Sequence, residues 1–293
     1  MKNKNKGNTE WTVEKNNELL EYLFEVMPNK SRSTVKGMLK RGQVTINGKP
    51  TTQFDECLKK GDVVTLRDRA ASPDVKMKGI EIVYEDDDII AIEKSHGLLT
   101  MGSKLEKKAT AFRMLMDYVQ SIRPNNRIFI VHRLDRDTSG VMIFAKSRVV
   151  QQKLQNNWKD IVSERTYIAL VEGQVKEDGT ITSWLKEDKT FKMHSSPKDN
   201  GGKKAITHYQ VMRKNRRFSL LKVNLETGRK NQIRVHMETI GHPIVGDKKY
   251  GSTTKPINRL GLHASVIEFK HPTSGKSLRF ESKPPSSFTR GFK

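Results

Sequence analysis

The stretch Val131-His132-Arg133-Leu134-Asp135-Arg136-Asp137-Thr138-Ser139-Gly140 constrains this chain more than any other. An apolar run at residues 128–131 leads into it and a second at 141–145 leads out, which predicts two strands joined by a short loop. That loop holds a histidine, two arginines, two aspartates and two hydroxyls at a strand end, where a rigid scaffold can aim side chains. A buried carboxylate flanked by guanidiniums stays ionised and can act as nucleophile or base. Position alone leaves Asp135 and Asp137 both open. Asp137, directly before Thr138-Ser139-Gly140, also suits tying the loop to its own backbone.

With 293 residues the chain can hold a large domain and a small one. The formal net charge of +22 asks for a polyanionic partner, nucleic acid first and an anionic membrane surface second. No run approaches the roughly 20 apolar residues of a membrane span. The polar start, Met1-Lys2-Asn3-Lys4, does not read as a secretion signal. Cys57 is the only cysteine, which excludes internal disulfides and cysteine-based zinc sites and fits a cytosolic protein. Cys57 itself reads as a small core hydrophobe.

Residues 1–11 are expected to be a disordered basic lead. Leu19, Leu20, Leu23 and Val26 recur at helical spacing within 12–27, and Pro28 ends that helix. Ser31 or Ser33 suits the cap of a second helix that ends by Gly42, with Val35, Met38 and Leu39 inward. Arg32, Lys36 and Lys40 then line one edge of it, next to Arg41. A strand at 44–46 runs into Asn47-Gly48, a hairpin signal because both central residues of that turn need positive φ. Gly61-Asp62 turns into a strand at 63–66. These residues resemble the αL RNA-binding domain named after ribosomal small-subunit protein four, over about residues 12–70. A linker is expected at 71–79, around Pro73. Strands at 80–84 and 89–92 flank an acidic turn, Glu85-Asp86-Asp87-Asp88, read as solvated and not as a metal site. A helix is predicted at 109–120. Another is predicted after Ser147, with Val150, Leu154 and Trp158 inward, followed by a strand at 167–171.

Three further stretches carry chemistry. Glu164-Arg165-Thr166-Tyr167 opens a strand. Thr227-Gly228-Arg229-Lys230-Asn231-Gln232-Ile233-Arg234-Val235-His236 alternates like a strand, which puts Gln232, Arg234 and His236 on one polar face. Such a row suits an anionic, planar ligand. Gly241-His242-Pro243-Ile244-Val245-Gly246-Asp247, followed by Tyr250-Gly251, reads as a structural turn.

In this order, the pieces resemble the RluA-type pseudouridine synthases, which isomerise uridine to pseudouridine in RNA. Residues 132–140 fit that family's His-Arg-Leu-Asp signature throughout. The resemblance extends to Lys94, Gly97-Leu98-Leu99, Tyr167, Gly228-Arg229, residues 232–236, Gly241-His242-Pro243-Ile244, Leu262-His263-Ala264 and His271-Pro272. It implies that Asp135 is the catalytic aspartate, attacking C1′ of the ribose or C6 of the base. It implies that Arg234 pairs with Asp135, and that Tyr167 stacks on the uracil and is the candidate to take the C5 proton. Arg133 is implied to occupy the space of the flipped base, and Ile233 to floor the pocket. Arg229, with Arg32, Lys36, Lys40 and Arg41 of the leading domain, completes the expected RNA contacts. Glycosidic cleavage and rejoining through C5 involves no redox change or net hydrolysis, so the resemblance implies neither cofactor nor metal.

Two departures stand out. Lys94-Ser95 replaces the usual Lys-Pro, which gives a less constrained loop. Lys230-Asn231 replaces a small or hydroxyl residue followed by histidine, a change expected to affect RNA contacts away from the reacting bond. Two other functions compete: a non-catalytic RNA-binding or assembly factor that keeps the fold, against which the intact Asp135, Tyr167 and Arg234 speak, and a glycosidase, which needs a second carboxylate beside Asp135. The expected fold is α+β, with a small N-terminal αL RNA-binding domain and a catalytic domain at 80–293 on a mixed, mostly antiparallel sheet. The expected partner is RNA, large-subunit ribosomal or else transfer, with no DNA or membrane, and the protein is expected to be a monomer.

Overall fold

The computed structural model describes residues 3–5, 8–40, 42–67, 77–102 and 109–292. Arg41, most of the expected linker and the side chain of Lys40 lie outside the described residues. The chain divides into two compact units, Met1–Lys76 with Leu115–Arg127, and Met77–Met114 with Ile128–Lys293.

In the first unit, strands β1 (Asn3–Asn5), β2 (Asn8–Thr12) and β3 (Asn17–Glu18) precede helices α1 (Leu19–Val26) and α2 (Arg32–Lys40). Strands β4 (Val44–Ile46), β5 (Lys49–Thr51), β6 (Cys57–Leu58) and β7 (Val63–Arg67) follow. A five-stranded sheet runs β1-β2-β7-β4-β5. The expected lead is therefore structured in part: β2 pairs with β7, and Trp11 joins the core beside Leu19, Leu23, Val35 and Leu39. Helix α1 starts at Leu19, not at residue 12, because residues 8–12 are drawn into that sheet. Cys57 is exposed, against the core reading. Ser31 caps α2 by accepting from Thr34 N at 3.2 Å, and Arg32 and Lys36 are exposed on that helix. Asn47 and Gly48 have φ of 50° and 80°, as the hairpin turn requires.

The second unit is built on an eleven-stranded sheet. Strands β8 (Ile80–Glu85) and β9 (Ile89–Lys94) form its first hairpin, and α3 (Ala111–Ile122) follows, its residues from Leu115 on counted with the first unit. Strand β10 (Phe129–Ile130) leads to β11 (Ser139–Ala145), then α4 (Arg148–Asn156), α5 (Trp158–Ile161) and β12 (Val162–Glu172). Next come β13 (Gly179–Glu187), β14 (Met193–Ser196), β15 (Lys203–Lys214), β16 (Phe218–Leu225), α6 (Gln232–Thr239), β17 (Leu262–Lys270) and β18 (Ser277–Glu281). The path is β14-β13-β15-β16-β12-β17-β11-β9-β8, with β10 on β11 and β18 on β17. β11 and β17 are parallel and the other pairs antiparallel, so the mixed, mostly antiparallel sheet stands. The acidic turn at 85–88 is tied down rather than merely solvated. Asp86 Oδ1 accepts from Asp88 N and Ile89 N, Lys146 pairs with Glu85 at 2.8 Å, and His271 faces Asp86 at 3.1 Å. Among the described residues no cluster suits a metal ion, and no helix is long and apolar enough to cross a membrane.

One correction matters for the site. Residues 232–236 belong to helix α6, not to a strand. Ile233, Met237 and the partly buried Ile240 recur at helical spacing and pack on Ala169, Leu221 and Val223. Two polar residues of the same helix, Gln232 and His236, find partners on the sheet beneath. Gln232 Nε2 donates to Ile206 O and Thr207 Oγ1, both at 2.9 Å. His236 meets Ser183 Oγ at 2.9 Å and Thr207 Oγ1 at 2.8 Å. Alternation in the sequence thus came from buried polar groups with distant partners, not from a half-solvated strand.

Candidate active site

The sheet register brings the site together. Ala264 of β17 pairs with Gly140 of β11 on one side and with Tyr167 of β12 on the other. Strand spacing places the mouth of the Asp135 loop about 10 Å from Tyr167. A register shift between Thr166 and Tyr167 sets the tyrosine at a bulge, which re-aims a side chain. Gly140 makes the approach possible. Its φ is +117°, and a Cβ there would lie 2.1 Å from the Ala264 carbonyl oxygen.

The loop between β10 and β11 is held mostly through backbone groups. Thr100 Oγ1 donates to Leu134 O at 2.8 Å. The buried Lys94 ammonium donates to Ser95 O, Leu98 O and Arg136 O at 3.0, 2.7 and 3.1 Å. Burial lowers its pKa to about 8, against the opposing pull of Asp137 and Asp135. These contacts pin the Lys94-Ser95 loop without the proline. The half-buried His132 packs its ring against Trp158 and accepts from Ile143 N at 3.1 Å, and desolvation pushes its pKa to about 3, so the ring is neutral. Ser139 Oγ accepts from Arg259 at 2.6 Å and faces His263 Nδ1 at 2.9 Å. Asp137 does not fasten the loop. Its side chain is 60% exposed and lies 4.0 Å from Arg136.

Asp135 faces a cavity of about 190 Å³ lined by Arg133, Tyr167, Arg229, Asn231, Ile233 and Arg234, among others. A larger cleft of about 630 Å³ shares Arg133, Tyr167, Gly228 and Arg229 with it. Arg234 Nη1 reaches Asp135 Oδ2 at 3.4 Å. The stronger anchor of Arg234 is Asp247, whose Oδ2 and Oδ1 accept from Nε at 2.6 Å and Nη2 at 2.8 Å. Such a two-point pair fixes the plane of the guanidinium. The Tyr250 ring lies 4.9 Å from the guanidinium carbon. Burial works against the charge of Arg234, but the hydrogen bonds and charge of Asp247, then Asp135, outweigh it and raise its pKa. Burial also raises the Tyr167 pKa, with the charge of Asp135 adding to it and Arg165 opposing.

The sequence reading missed Asp247, placing it in a turn without chemistry. The turn is there, but the carboxylate is 1% exposed and holds the arginine. A lone acid beside the apolar Ile244-Val245 pair was the available signal. Asn231 was read as remote from the reacting centre. It is not: Asn231 Oδ1 accepts from Arg234 Nη1 at 3.2 Å, and its Nδ2 donates to Tyr250 OH at 3.0 Å. His236 faces the sheet, and Gln232, although in the cavity wall, spends its amide on Ile206, Thr207 and the Arg229 backbone. Arg133 and Arg229 are exposed at the cavity rim, and Ile233 is buried on its floor. Arg32 and Lys36 belong to the other unit.

Residues 88–239 match the family described as RNA pseudouridylate synthase. The chain belongs to that family. The synthase is 35% identical over 298 residues to an Aquifex aeolicus protein described as an uncharacterized RNA pseudouridine synthase, covering 95% of this chain and 94% of that one. It is 33% identical to the ribosomal large subunit pseudouridine synthase D of Salmonella typhimurium, covering 90% of this chain and 86% of that one. The solved structure of human RNA pseudouridylate synthase domain containing 4 shares the fold, with a TM-score of 0.57 at 21% identity over 71% of this chain and 90% of that one. The synthase is accordingly an isomerase that modifies RNA.

Proposed function

We propose that the synthase isomerises uridines of large-subunit ribosomal RNA, with Asp135 as the attacking carboxylate. The observation that carries the assignment is the convergence of Asp135, Tyr167 and Arg234 on one small cavity. The similarity to proteins named for the ribosomal large subunit supports the substrate. A uracil within a helix is beyond reach of a side chain, so it is extruded at a cost of a few kcal/mol. Arg133 at the cavity rim takes the vacated place, and Tyr167 stacks on the flipped base. Arg234, fixed by Asp247, holds Asp135 aimed and ionised. Asp135 attacks C1′ or C6, the N1–C1′ glycosidic bond breaks, the uracil turns, C5 joins C1′ as the bond to Asp135 is released, and the C5 proton leaves while N1 takes one up. Tyr167, half-buried beside Asp135, is the group placed to relay the C5 proton, giving up its own phenolic proton as it takes that one.

Residues 12–70 act in this reading as an RNA-binding domain, joined by a linker at 71–79 to the catalytic domain at 80–293. The exposed Arg32 and Lys36 of α2 meet phosphates, and their contacts help supply the energy that extrusion needs. The glycosidase reading weakens on one observation: both oxygens of Asp247 are engaged by Arg234, so it offers no free acid beside Asp135.

Mapping pseudouridines in total RNA with and without the gene tests the assignment, alongside purified protein on large-subunit ribosomal and transfer RNA transcripts. A site lost from large-subunit RNA and restored by purified protein is the expected result. Loss of a transfer RNA site alone moves the substrate. No lost site, with no uridine converted in either transcript, overturns the reading.

A further inference from the structure

The tip between β13 and β14 is the odd place on the surface of the second unit. Phe191 there is 70% exposed and has a left-handed backbone, φ 61°. A bulky residue rarely adopts that conformation, and here it comes with a ring left in water. The tip is nonetheless well fastened. Asp188 Oδ1 accepts from Thr190 N, Thr190 Oγ1 and Lys192 N at 2.8, 2.7 and 2.9 Å. Phe191 N donates to Asp188 O at 3.1 Å, and Lys249 Nζ donates to Phe191 O at 2.8 Å. An aromatic ring is thus displayed on a rigid turn.

Cations surround it. Lys230 Nζ lies 5.6 Å from the ring centroid, and Lys189, Lys248 and Lys249 are exposed. The neighbouring acids are already engaged: Glu187 by Lys230, Asp188 by the tip and His194, and Glu238 by Lys192. The same elements reach the catalytic pair. Lys230 and Asn231 line the Asp135 cavity, and Tyr250 OH accepts from both Met193 N of β14 and Asn231 Nδ2.

We propose that Phe191 is a stacking platform for an unpaired base next to the uridine in the Asp135 cavity, with Lys230 and Lys249 meeting the flanking phosphates. The proposal rests on the functional reading above. A ring face accepts any base, and lysines track a backbone without reading sequence. Extruding a uridine leaves its neighbours short of a stacking partner, and a fixed ring close to the cavity supplies one.

The test uses the full chain and a short uridine-rich oligoribonucleotide carrying a fluorescent purine analogue, whose emission falls on stacking. Wild type, Phe191→Tyr and Phe191→Trp are expected to quench it. Phe191→Ala and Phe191→Leu are expected to lose quenching and bind about tenfold more weakly, with the salt dependence unchanged. Phe191→Leu keeps an apolar side chain of similar size, so a melting temperature equal to wild type excludes a folding defect. Wild-type quenching and affinity in Phe191→Leu, or in Phe191→Ala, overturn the proposal. Pseudouridine formation by Asp135→Asn is measured in parallel. Loss there with unchanged Phe191→Ala binding removes only the platform, whereas retained turnover removes the functional reading.

Discussion

Asp135 and Asp247 lie on two sides of the Arg234 guanidinium and live under different rules. The loop that carries Asp135 is fixed through its backbone, which leaves that side chain 25% exposed and joined to Arg234 by one contact at 3.4 Å. The turn that carries Asp247 buries its carboxylate to 1% exposure and commits both oxygens to the same arginine. A reacting carboxylate needs spare lone pairs facing a cavity. A supporting one needs none, and its ion pair is worth keeping because a buried charge without a partner is expensive. Residue type does not separate the two; satisfaction of the oxygens does.

That contrast breaks first at Asp135→Asn. Activity is expected to fall at least about a thousandfold while the melting temperature stays near wild type. A normal rate of pseudouridine formation from this variant would sink the nucleophile assignment. Asp247→Ala is expected to cost about 3–5 kcal/mol of stability, because it strands a buried guanidinium, and to lower turnover as well. Denaturant unfolding checks this. If the variant is as stable as wild type, Asp247 is not the anchor.

Acid is expected to weaken the frame around both carboxylates. Burial depresses the pKa of His132 to about 3, and of His236 and His263 to about 4, below the ordinary value of 6.5. The unfolded chain therefore binds more protons between pH 6.5 and 4, so stability is full above 6.5 and falls as the pH drops through that window. Each imidazole accounts for about 2 kcal/mol at pH 5. Thermal melts across the window measure it, and a flat profile would mean these rings carry no such penalty. Asp137→Asn is the smallest change. An exposed aspartate of this kind is expected to shift stability by less than about 0.5 kcal/mol and to leave the rate unchanged. A large loss of rate would blur the distinction drawn between the two loop aspartates.

The strands legible in the second unit, at 80–84, 89–92, 128–131, 141–145 and 167–171, were so because apolar runs and turn residues sit where a strand must start and stop, whereas β13 to β18 went unread. The chemistry of the Asp135 loop was legible for the same reason: local punctuation bounds it on both sides. Residues 232–236 misled, since Gln-Ile-Arg-Val-His alternates, and only Thr207, Ser183 and Ile206 on other strands make a buried polar helix face acceptable. Asp247 and Asn231 were undervalued because their partner, Arg234, is named by no spacing rule. The sequence by itself pointed to a polyanionic partner through its charge and, through motifs that resemble a family, to the α+β class and the residues proposed for the chemistry, because charge and functional groups are local properties. Only the tertiary structure decided which carboxylate is free and which is spent. It also decided that Ala264 would bring Gly140 and Tyr167 to either side of one strand and that Phe191 would stand in solvent beside the cavity-lining Lys230. Those outcomes depend on register, burial and hydrogen-bond satisfaction between segments far apart in the chain.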